Sequence, residues 1–181
     1  LVENSFRDVN IAFANELSLI CDKLNLNVWE LIKFANHHPR VNILQPGPGV
    51  GGHCIAVDPW FIIDSAPVQA KMIKLARLIN DEMPNVVINK INQKVSKISK
   101  AISELSIACL GLSFKPDIDD LRESPAIKIA KHVCSMGFKK HYVVEPNIKN
   151  LPVELNPQCT ELVGLEQALT SSDIILLLVD H

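Results

Sequence analysis

A single cysteine, Cys54, stands at the end of a glycine-rich segment, and the carboxylate of Asp58 follows four residues later. Glycine loses the most backbone entropy on folding, so a segment rich in glycine is costly to order. Such a segment indicates a sharp turn or a close approach of the backbone to a ligand, which other residues would not allow. A thiol reacts as its thiolate and must be reachable by the substrate. We interpret Cys54 as a candidate nucleophile; the alternative is a small buried hydrophobic residue. The glycines of this segment are Gly47, Gly49, Gly51 and Gly52.

The same glycines match the dinucleotide-binding pattern G-x-G-x-x-G letter for letter. That pattern binds a dinucleotide only where a strand precedes it and a helix opens directly after it. Here residues 28–35 have helical character, and three prolines, Pro39, Pro46 and Pro48, interrupt the approach to the glycines. We therefore interpret the match as coincidental and the segment as one wall of a substrate site.

Charge and hydropathy exclude several classes of protein. The chain has 18 basic and 20 acidic residues, and no basic cluster is interleaved with aromatic residues, so nucleic acid is an unexpected partner. The longest purely apolar run, residues 174–179, is too short to span a bilayer, so we expect a soluble protein without a membrane partner.

The cysteines do not form a recognisable framework. The five cysteines are irregularly spaced and include no C-x-x-C pair, which argues against disulfides and against a metal site. We therefore expect a reducing, cytoplasmic setting and no bound metal.

The first half of the chain has the periodicity of helices. Apolar residues recur at helical spacing over residues 3–24, where the charged Asp8 falls on another face, and Asn27 is placed to cap a helix over 28–35. A third helical pattern continues to about residue 98, and Pro84 is expected to kink or divide it. A helix this long favours a link between domains or pairing with a second subunit.

The period changes near residue 105. Strand patterns over 106–112, 141–145, 160–163 and 174–179 alternate with helical patterns over 126–136 and 165–171. This order is typical of a doubly wound parallel sheet. The fold class is therefore α/β, with an all-α domain over residues 1–100 joined by the long helix to a Rossmann-like domain over 101–181.

Both ends of the chain favour a fragment of a longer protein. Leu1 is not an initiator residue, and the final strand pattern stops where a loop is expected. We expect the second domain to be incomplete.

Three ordered segments resemble the UDP-glucose/GDP-mannose dehydrogenase family, and together they extend over nearly the whole chain. They are residues 3–10, residues 46–61 and residues 111–125. Within the family, Gly-Gly-His-Cys-Ile-Ala-Val-Asp-Pro-Trp-Phe most resembles the enzymes acting on UDP-N-acetylmannosamine; enzymes acting on UDP-glucose tend toward a Lys-Asp pair after the cysteine. The resemblance implies an NAD-binding domain before Leu1, a dimerising helical domain and a nucleotide-sugar-binding domain.

The resemblance also implies a reaction, the oxidation of a sugar C6 alcohol to a carboxylate with two NAD+. In this reaction Cys54 would form a thiohemiacetal and then a thioester. Asp58 would help to activate the hydrolytic water or would orient its partner, and Asn4 would help to hold that water or the oxyanion. The family places a catalytic lysine four residues before the position of Asn4, which falls just before Leu1.

Charge and the resemblance together suggest the binding residues. Candidates for contact with the UDP-sugar are Asn4, Arg7, His38, Arg40, Gly51 and Lys115. In a homodimer, we expect Arg40 to reach the sugar across the interface. Arg122 is expected to contact NAD. Glu145 stands where a Rossmann fold keeps a ribose-binding acid, but a carboxylate at a strand end is commoner, so we do not assign it to the site.

Three alternatives remain open at this stage. The sugar could be N-acetylglucosamine or glucose, with the same mechanism. The chain could be a module that only dimerises and binds a nucleotide sugar. A cysteine hydrolase is a poorer option, since His53 is adjacent to Cys54 in sequence, where successive side chains seldom face each other.

Overall fold

The computed structural model describes all residues, Leu1–His181. The chain forms two compact units, Leu1–Met83 and Pro84–His181. The division between the units falls inside a long helix, earlier than the boundary between residues 100 and 101 that we predicted. The roles that we predicted for the two domains stay predictions at this point.

Helices are the only regular elements of the first unit, as predicted. Its helices are α1 (Val2–Leu24), α2 (Val28–Ala35), α3 (Asp58–Ser65) and the first half of α4 (Lys71–Val95). The side chain of Asn27 accepts hydrogen bonds from the main-chain N–H groups at the start of α2, which confirms the predicted cap. Helix α3 begins with an Asp-Pro pair, a favourable first turn because proline has no N–H to leave unpaired there.

Helix α4 continues through Pro84 without being divided. It is shorter than the helical pattern in the sequence, because residues 96–99 form turns rather than further helix. Proline removes one main-chain hydrogen bond from a helix. Met83 is buried in the first unit and Ile91 in the core of the second, so packing on either side of the proline keeps the helix intact.

The second unit is a doubly wound α/β sheet, which confirms the predicted fold class. After a short 3-10 turn at Ile102–Glu104, its elements are β1 (Ser106–Leu110), α5 (Pro125–Ser135), β2 (Lys140–Val144), β3 (Thr160–Leu162), α6 (Leu165–Ser171) and β4 (Ile174–Leu177). The four strands are parallel and lie in the order β3-β2-β1-β4, so β1 is between β2 and β4.

None of the helices in either unit combines the length and the apolar character needed to cross a membrane.

Successive residues of the strands face opposite sides of this sheet. Ile107 and Cys109 of β1 pack into the larger core with α5 and the end of α4, whereas Ala108 packs with Ala168 of α6 on the other face. Each side of the sheet therefore has its own helix. Strands β1 and β4 are neighbours; α5 follows β1 on one face, and α6 precedes β4 on the other. Open α/β sheets bind ligands at the carboxyl ends of such a pair of strands.

The structure contradicts our expectation that the cysteines are unpaired. Cys134, at the end of α5, and Cys159, just before β3, form a disulfide with 6.0 Å between their Cα atoms. Spacing alone could not reveal this pair, because the two residues are brought together by the adjacency of β2 and β3 and not by a local motif. Cys21, Cys54 and Cys109 are free thiols.

Candidate active site

Helix α1 turns a polar face toward the rest of the first unit. Its buried side chains include Ser5, Asp8 and Asn15, whereas Phe13 and Ile20 are exposed. We predicted that Asp8 lies on a different face from the apolar stripe, and the structure confirms this separation. Periodicity shows that a helix has an apolar stripe, but not whether its own chain covers that stripe.

The glycine-rich segment forms a loop without regular secondary structure between α2 and α3. Gly49 and Gly52 have φ angles of 135° and 81°, a region that residues with a Cβ rarely adopt. No strand precedes the loop and α3 opens only at Asp58, so the interpretation of the G-x-G-x-x-G match as coincidental is confirmed. Gly51 is buried within the loop.

Cys54 ends this loop with an exposed side chain. Its main-chain carbonyl accepts hydrogen bonds from the N–H groups of Val57 and Asp58, the latter at 2.8 Å. The cysteine therefore lies one tight turn before α3, and the carboxylate of Asp58 stands in the first turn of that helix. An exposed thiol is reachable by a substrate, whereas the buried Cys21 and Cys109 are not.

Asn4 and Asp58 are in direct contact. Asn4 Nδ2 donates to Asp58 Oδ2 at 2.7 Å, across 54 residues of sequence. The main-chain nitrogen of Leu1 lies 3.8 Å from the same carboxylate oxygen, so the start of α1 is also beside Asp58. Two of the three residues that we predicted to act catalytically are thus joined, and the third, Cys54, is one turn from Asp58.

A buried polar network connects α1 to α4 behind the loop. The guanidinium of Arg77 is fully buried and donates to Asp8 Oδ1 at 2.5 Å. Asn80 Nδ2 donates to the same oxygen at 2.8 Å, and Asn15 Nδ2 donates to Asn80 Oδ1 at 2.8 Å. Arg77 also pairs with Asp81 on its own helix.

Burial and pairing shift the pKa of Asp8 in opposite directions. Burial raises the pKa of this carboxyl, and the Arg77 guanidinium and the Asn80 amide offset part of that rise. Sequence reasoning missed this network, since Arg77 and Asn80 lie in a helix with exposed polar residues throughout. The only available signal was Arg-x-x-Asn, which puts both side chains on one face of α4.

His38 and Arg40 lie in an exposed turn after α2. Asn36 holds the base of this turn, because its side chain accepts from Ile43 N at 2.7 Å and donates to Ile43 O at 3.0 Å. Arg40 N donates to His38 Nδ1 at 3.2 Å. Their side chains, and that of Arg7 on α1, are exposed, and no hydrogen bond or ion pair joins these three residues to Cys54, Asp58 or Asn4.

In the second unit, Glu145 organises the loop after β1. Its carboxylate is buried at the end of β2 and accepts from the N–H groups of Leu112 and Ser113 at 2.8 and 3.0 Å. Burial by itself would raise the pKa of Glu145, but these two N–H groups, that of Asn147 and the nearby His181 outweigh it, so the pKa is lowered. Glu145, which we left out of the site, is thus the residue that holds this loop in place.

The loop after β1 carries the other two candidate binding residues. Lys115 is exposed, with Nζ 5.9 Å from the centre of the Phe114 ring, and its main-chain carbonyl accepts from Ser113 Oγ at 2.7 Å. Arg122 is also exposed, and its guanidinium forms a forked pair with Asp120. A fixed arginine and an exposed lysine at the carboxyl end of a parallel sheet suit a ligand bearing phosphates.

The first unit carries an exposed thiol one turn before a paired carboxylate and amide, and the second unit is a doubly wound parallel sheet. Comparison with known proteins identifies the class of protein that combines these features. Residues 1–82 match the model of the UDP-glucose/GDP-mannose dehydrogenase family, central domain, and residues 108–181 match the model of its UDP binding domain. The chain belongs to this family, which confirms the resemblance. Residues 83–107, including most of the second half of α4, lie between the two matched regions.

Three similar relatives are named as dehydrogenases of N-acetylated nucleotide sugars or of an N-acetylated uronic acid. The chain is 62% identical, over its whole length, to UDP-N-acetyl-D-mannosamine dehydrogenase of Campylobacter jejuni and spans 44% of that protein. It is 58% identical, again over its whole length, to the enzyme of the same name from Escherichia coli K12, with 44% covered. The identity is also 58% to NDP-N-acetyl-D-galactosaminuronic acid dehydrogenase of Ralstonia nicotianae, with 41% covered.

Two solved structures with names of the same kind are also similar to this chain. The UDP-D-ManNAc dehydrogenase of Pyrococcus horikoshii matches with a TM-score of 0.85 and 37% identity, over 99% of this chain and 40% of that one. The UDP-N-acetyl-mannosamine dehydrogenase Cap5O of Staphylococcus aureus matches with a TM-score of 0.81 and 42% identity, over 100% of this chain and 40% of that one. The chain spans less than half the length of the relatives that it matches.

Proposed function

We propose that the chain supplies the central and UDP-binding domains of an NAD-dependent UDP-N-acetyl-D-mannosamine 6-dehydrogenase. The observation that carries this proposal is the exposed Cys54 one turn before Asp58, whose carboxylate accepts from Asn4 at 2.7 Å. The names of the relatives at 58% and 62% identity support the sugar.

The residues of this chain suit the second half of the oxidation. The Cys54 thiolate would add to the C6 aldehyde of the sugar, and the thiohemiacetal would lose a hydride to become a thioester. Water would then attack the thioester, with Asp58 taking its proton or orienting it and Asn4 fixing the carboxylate. The products are a uronate and the regenerated thiol, and the water supplies the second oxygen of the carboxylate.

NAD fits this chain only in part. When bound, NAD+ accepts the hydride in each of the two oxidation steps. Arg122, exposed and held in a fixed orientation by Asp120, is suited to a pyrophosphate group, and it is the residue of this chain that would contact NAD. The glycine-rich loop lacks the strand and helix of a dinucleotide site, so the main NAD contacts would come from outside these residues.

Each unit carries residues that we expect to contact a UDP-sugar. Lys115 would reach the nucleotide sugar from the second unit, because its amine is exposed on the loop that Glu145 organises. Arg7, His38 and Arg40 carry exposed side chains suited to phosphate or sugar oxygens. Gly51, buried within the loop, would offer its main-chain N–H to the sugar.

The exposed apolar face of α1 supports a homodimer through the helical unit. Phe6 is 68% exposed, Phe13 52% and Ile20 48%, in a helix that buries its polar face in its own unit. Apolar patches of this extent mark contact surfaces. In such a dimer Arg40 would reach the sugar held mainly by the partner. A cytoplasmic location remains a prediction.

The sharpest test uses the full-length protein and a panel of nucleotide sugars. UDP-N-acetylmannosamine should yield a uronate and two NADH per sugar, while UDP-glucose and UDP-N-acetylglucosamine should be poor substrates. UDP-N-acetylgalactosamine is the main competitor, because a relative at 58% identity is named for a galactosaminuronic acid. Preference for that sugar would replace the proposed substrate, and no NADH with any member of the panel would leave only a module that binds nucleotide sugars.

A further inference from the structure

The loop that carries Cys54 is attached to the buried network at both of its ends. At the first end, the N–H of Gly47 donates to Asn15 Oδ1 at 2.9 Å. At the second end, Arg77 Nη1 donates to the carbonyl of Ile55, the residue after Cys54, at 3.5 Å. Cys54 therefore lies between two points at which buried side chains hold the main chain.

The two attachments belong to one connected set of side chains. Asn15 donates to Asn80, Asn80 and Arg77 both donate to Asp8, and all four of these side chains are at most 1% exposed. Hydrogen bonds between buried groups are strong, because an unpaired polar group is costly in a medium of low polarity. One end of the loop is attached to α1 and the other to α4, so the packing of these two helices sets how the ends are held.

Stability alone does not explain this network. Burying a charged pair costs solvation that well-packed apolar side chains would not lose, so such pairs add little net stability. Here Asp8 Oδ2 and Arg77 Nε are buried without a hydrogen-bond partner, which adds to that cost. The network donates and accepts directed hydrogen bonds to the main chain of the loop, which an apolar core could not do.

We propose that Asn15 and Arg77 are positioning residues for Cys54. They hold the loop from Gly47 to Ile55 so that the thiol is placed relative to Asp58, which is itself held by Asn4 on the same helix, α1. Neither residue touches the reacting atoms. The positioning of Cys54 for attack on an aldehyde rests on the proposed function, whereas the anchoring of the loop does not.

The anchoring is tested by hydrogen exchange of the full-length protein. Asn15→Ala and Arg77→Lys should each speed exchange of the amides over residues 47–58 by about tenfold or more, because a local opening then costs fewer hydrogen bonds. Ile32→Val is the matched control, since Ile32 is buried in α2 and its apolar side chain cannot form a hydrogen bond to the loop. Unchanged exchange in Asn15→Ala would overturn the proposal even if Arg77→Lys failed to fold.

The positioning is tested by separating binding from chemistry. Both variants should lower kcat for oxidation of the sugar by about tenfold to a hundredfold, with KM for the UDP-sugar nearly unchanged, because a small misplacement of a nucleophile slows only the chemical step. Ile32→Val should keep the wild-type kcat. Faster exchange of the loop with wild-type kcat would overturn the positioning role. An inactive wild-type enzyme would refute the proposed function alone, because hydrogen exchange would still decide whether the network anchors the loop.

Discussion

His141 should make the second unit less stable in mild acid. It lies on β2, 2% exposed, with Nε2 3.4 Å from Cys109 Sγ and Nδ1 3.0 Å from Thr160 Oγ1. Burial lowers the pKa of His141 from 6.5 to about 4. The folded state therefore disfavours the protonated ring. The stability that the neutral ring contributes is complete above pH 6.5 and is lost as the pH falls toward about 4.

The size of the effect follows from the two pKa values. Between roughly pH 8 and pH 5, the unfolded histidine gains a proton that the folded one does not, which lowers the free energy of unfolding by about 2 kcal/mol. The carboxyls of Glu145 and Asp173, whose pKa values are lowered, lose their contributions only at more acidic pH, below the values of the free side chains.

Urea unfolding at a series of pH values measures this slope. The chain has a single tyrosine, Tyr142, beside His141 in β2, so its ring resonances in NMR spectra report the second unit. His141→Gln should flatten the slope, whereas His132→Gln, a histidine on α5 in the same unit, should keep it. A wild-type slope in His141→Gln, or a measured pKa of His141 near 6.5, would refute the reasoning.

Three further results are expected. In the full-length enzyme, Cys54→Ser should bind the UDP-sugar normally but form no uronate, because a serine hydroxyl is a far weaker nucleophile at neutral pH; uronate formed at the wild-type rate would exclude Cys54 as the nucleophile. Gly111→Ala should lower the free energy of unfolding in urea by about 2–4 kcal/mol, since Gly111 has φ +84° and an added Cβ would lie 2.4 Å from Val179 Cβ. Gly137→Ala is the control: Gly137 has φ +80° but open space around it, so this variant should lose only about 1 kcal/mol. Arg40→Ala and Lys115→Ala should each weaken binding of the UDP-sugar by about 1–3 kcal/mol, and mixing the two variants should restore binding in up to half of the heterodimer sites if the residues come from different subunits; no recovery after verified subunit exchange would place both in one chain's site.

Local sequence signals predicted the elements of this fold well. The capping residue Asn27 and the alternation of strand and helix patterns each depend on neighbouring residues, so they could be found in one sequence. The predicted segments 28–35 and 165–171 have the bounds of α2 and α6. The end of α4 could not be found in this way, because the apolar pattern continues into turns beyond Val95.

The contacts that arrange the site were beyond local signals. Arg77 and Asp8 are 69 residues apart, and nothing near either one indicates that the other will neutralise it. Glu145 appeared as an ordinary acid at a strand end, although its partners Leu112 and Ser113 are main-chain groups of a loop that only the sheet order brings to it. Main-chain donors carry no sequence signature, so such an anchor cannot be inferred from residue types.

The two faces of helix α1 have different roles. Its polar face holds Asp58 through Asn4 and the glycine loop through Asn15, tasks that require hydrogen bonds and could not be done by apolar side chains. The apolar residues, Phe13 among them, are therefore left on the outer face, where a second copy would cover them in the proposed dimer. A dimer formed on this face would pack against the same helix that holds the loop carrying Cys54. Dimer assembly and the geometry around Cys54 would then both depend on α1.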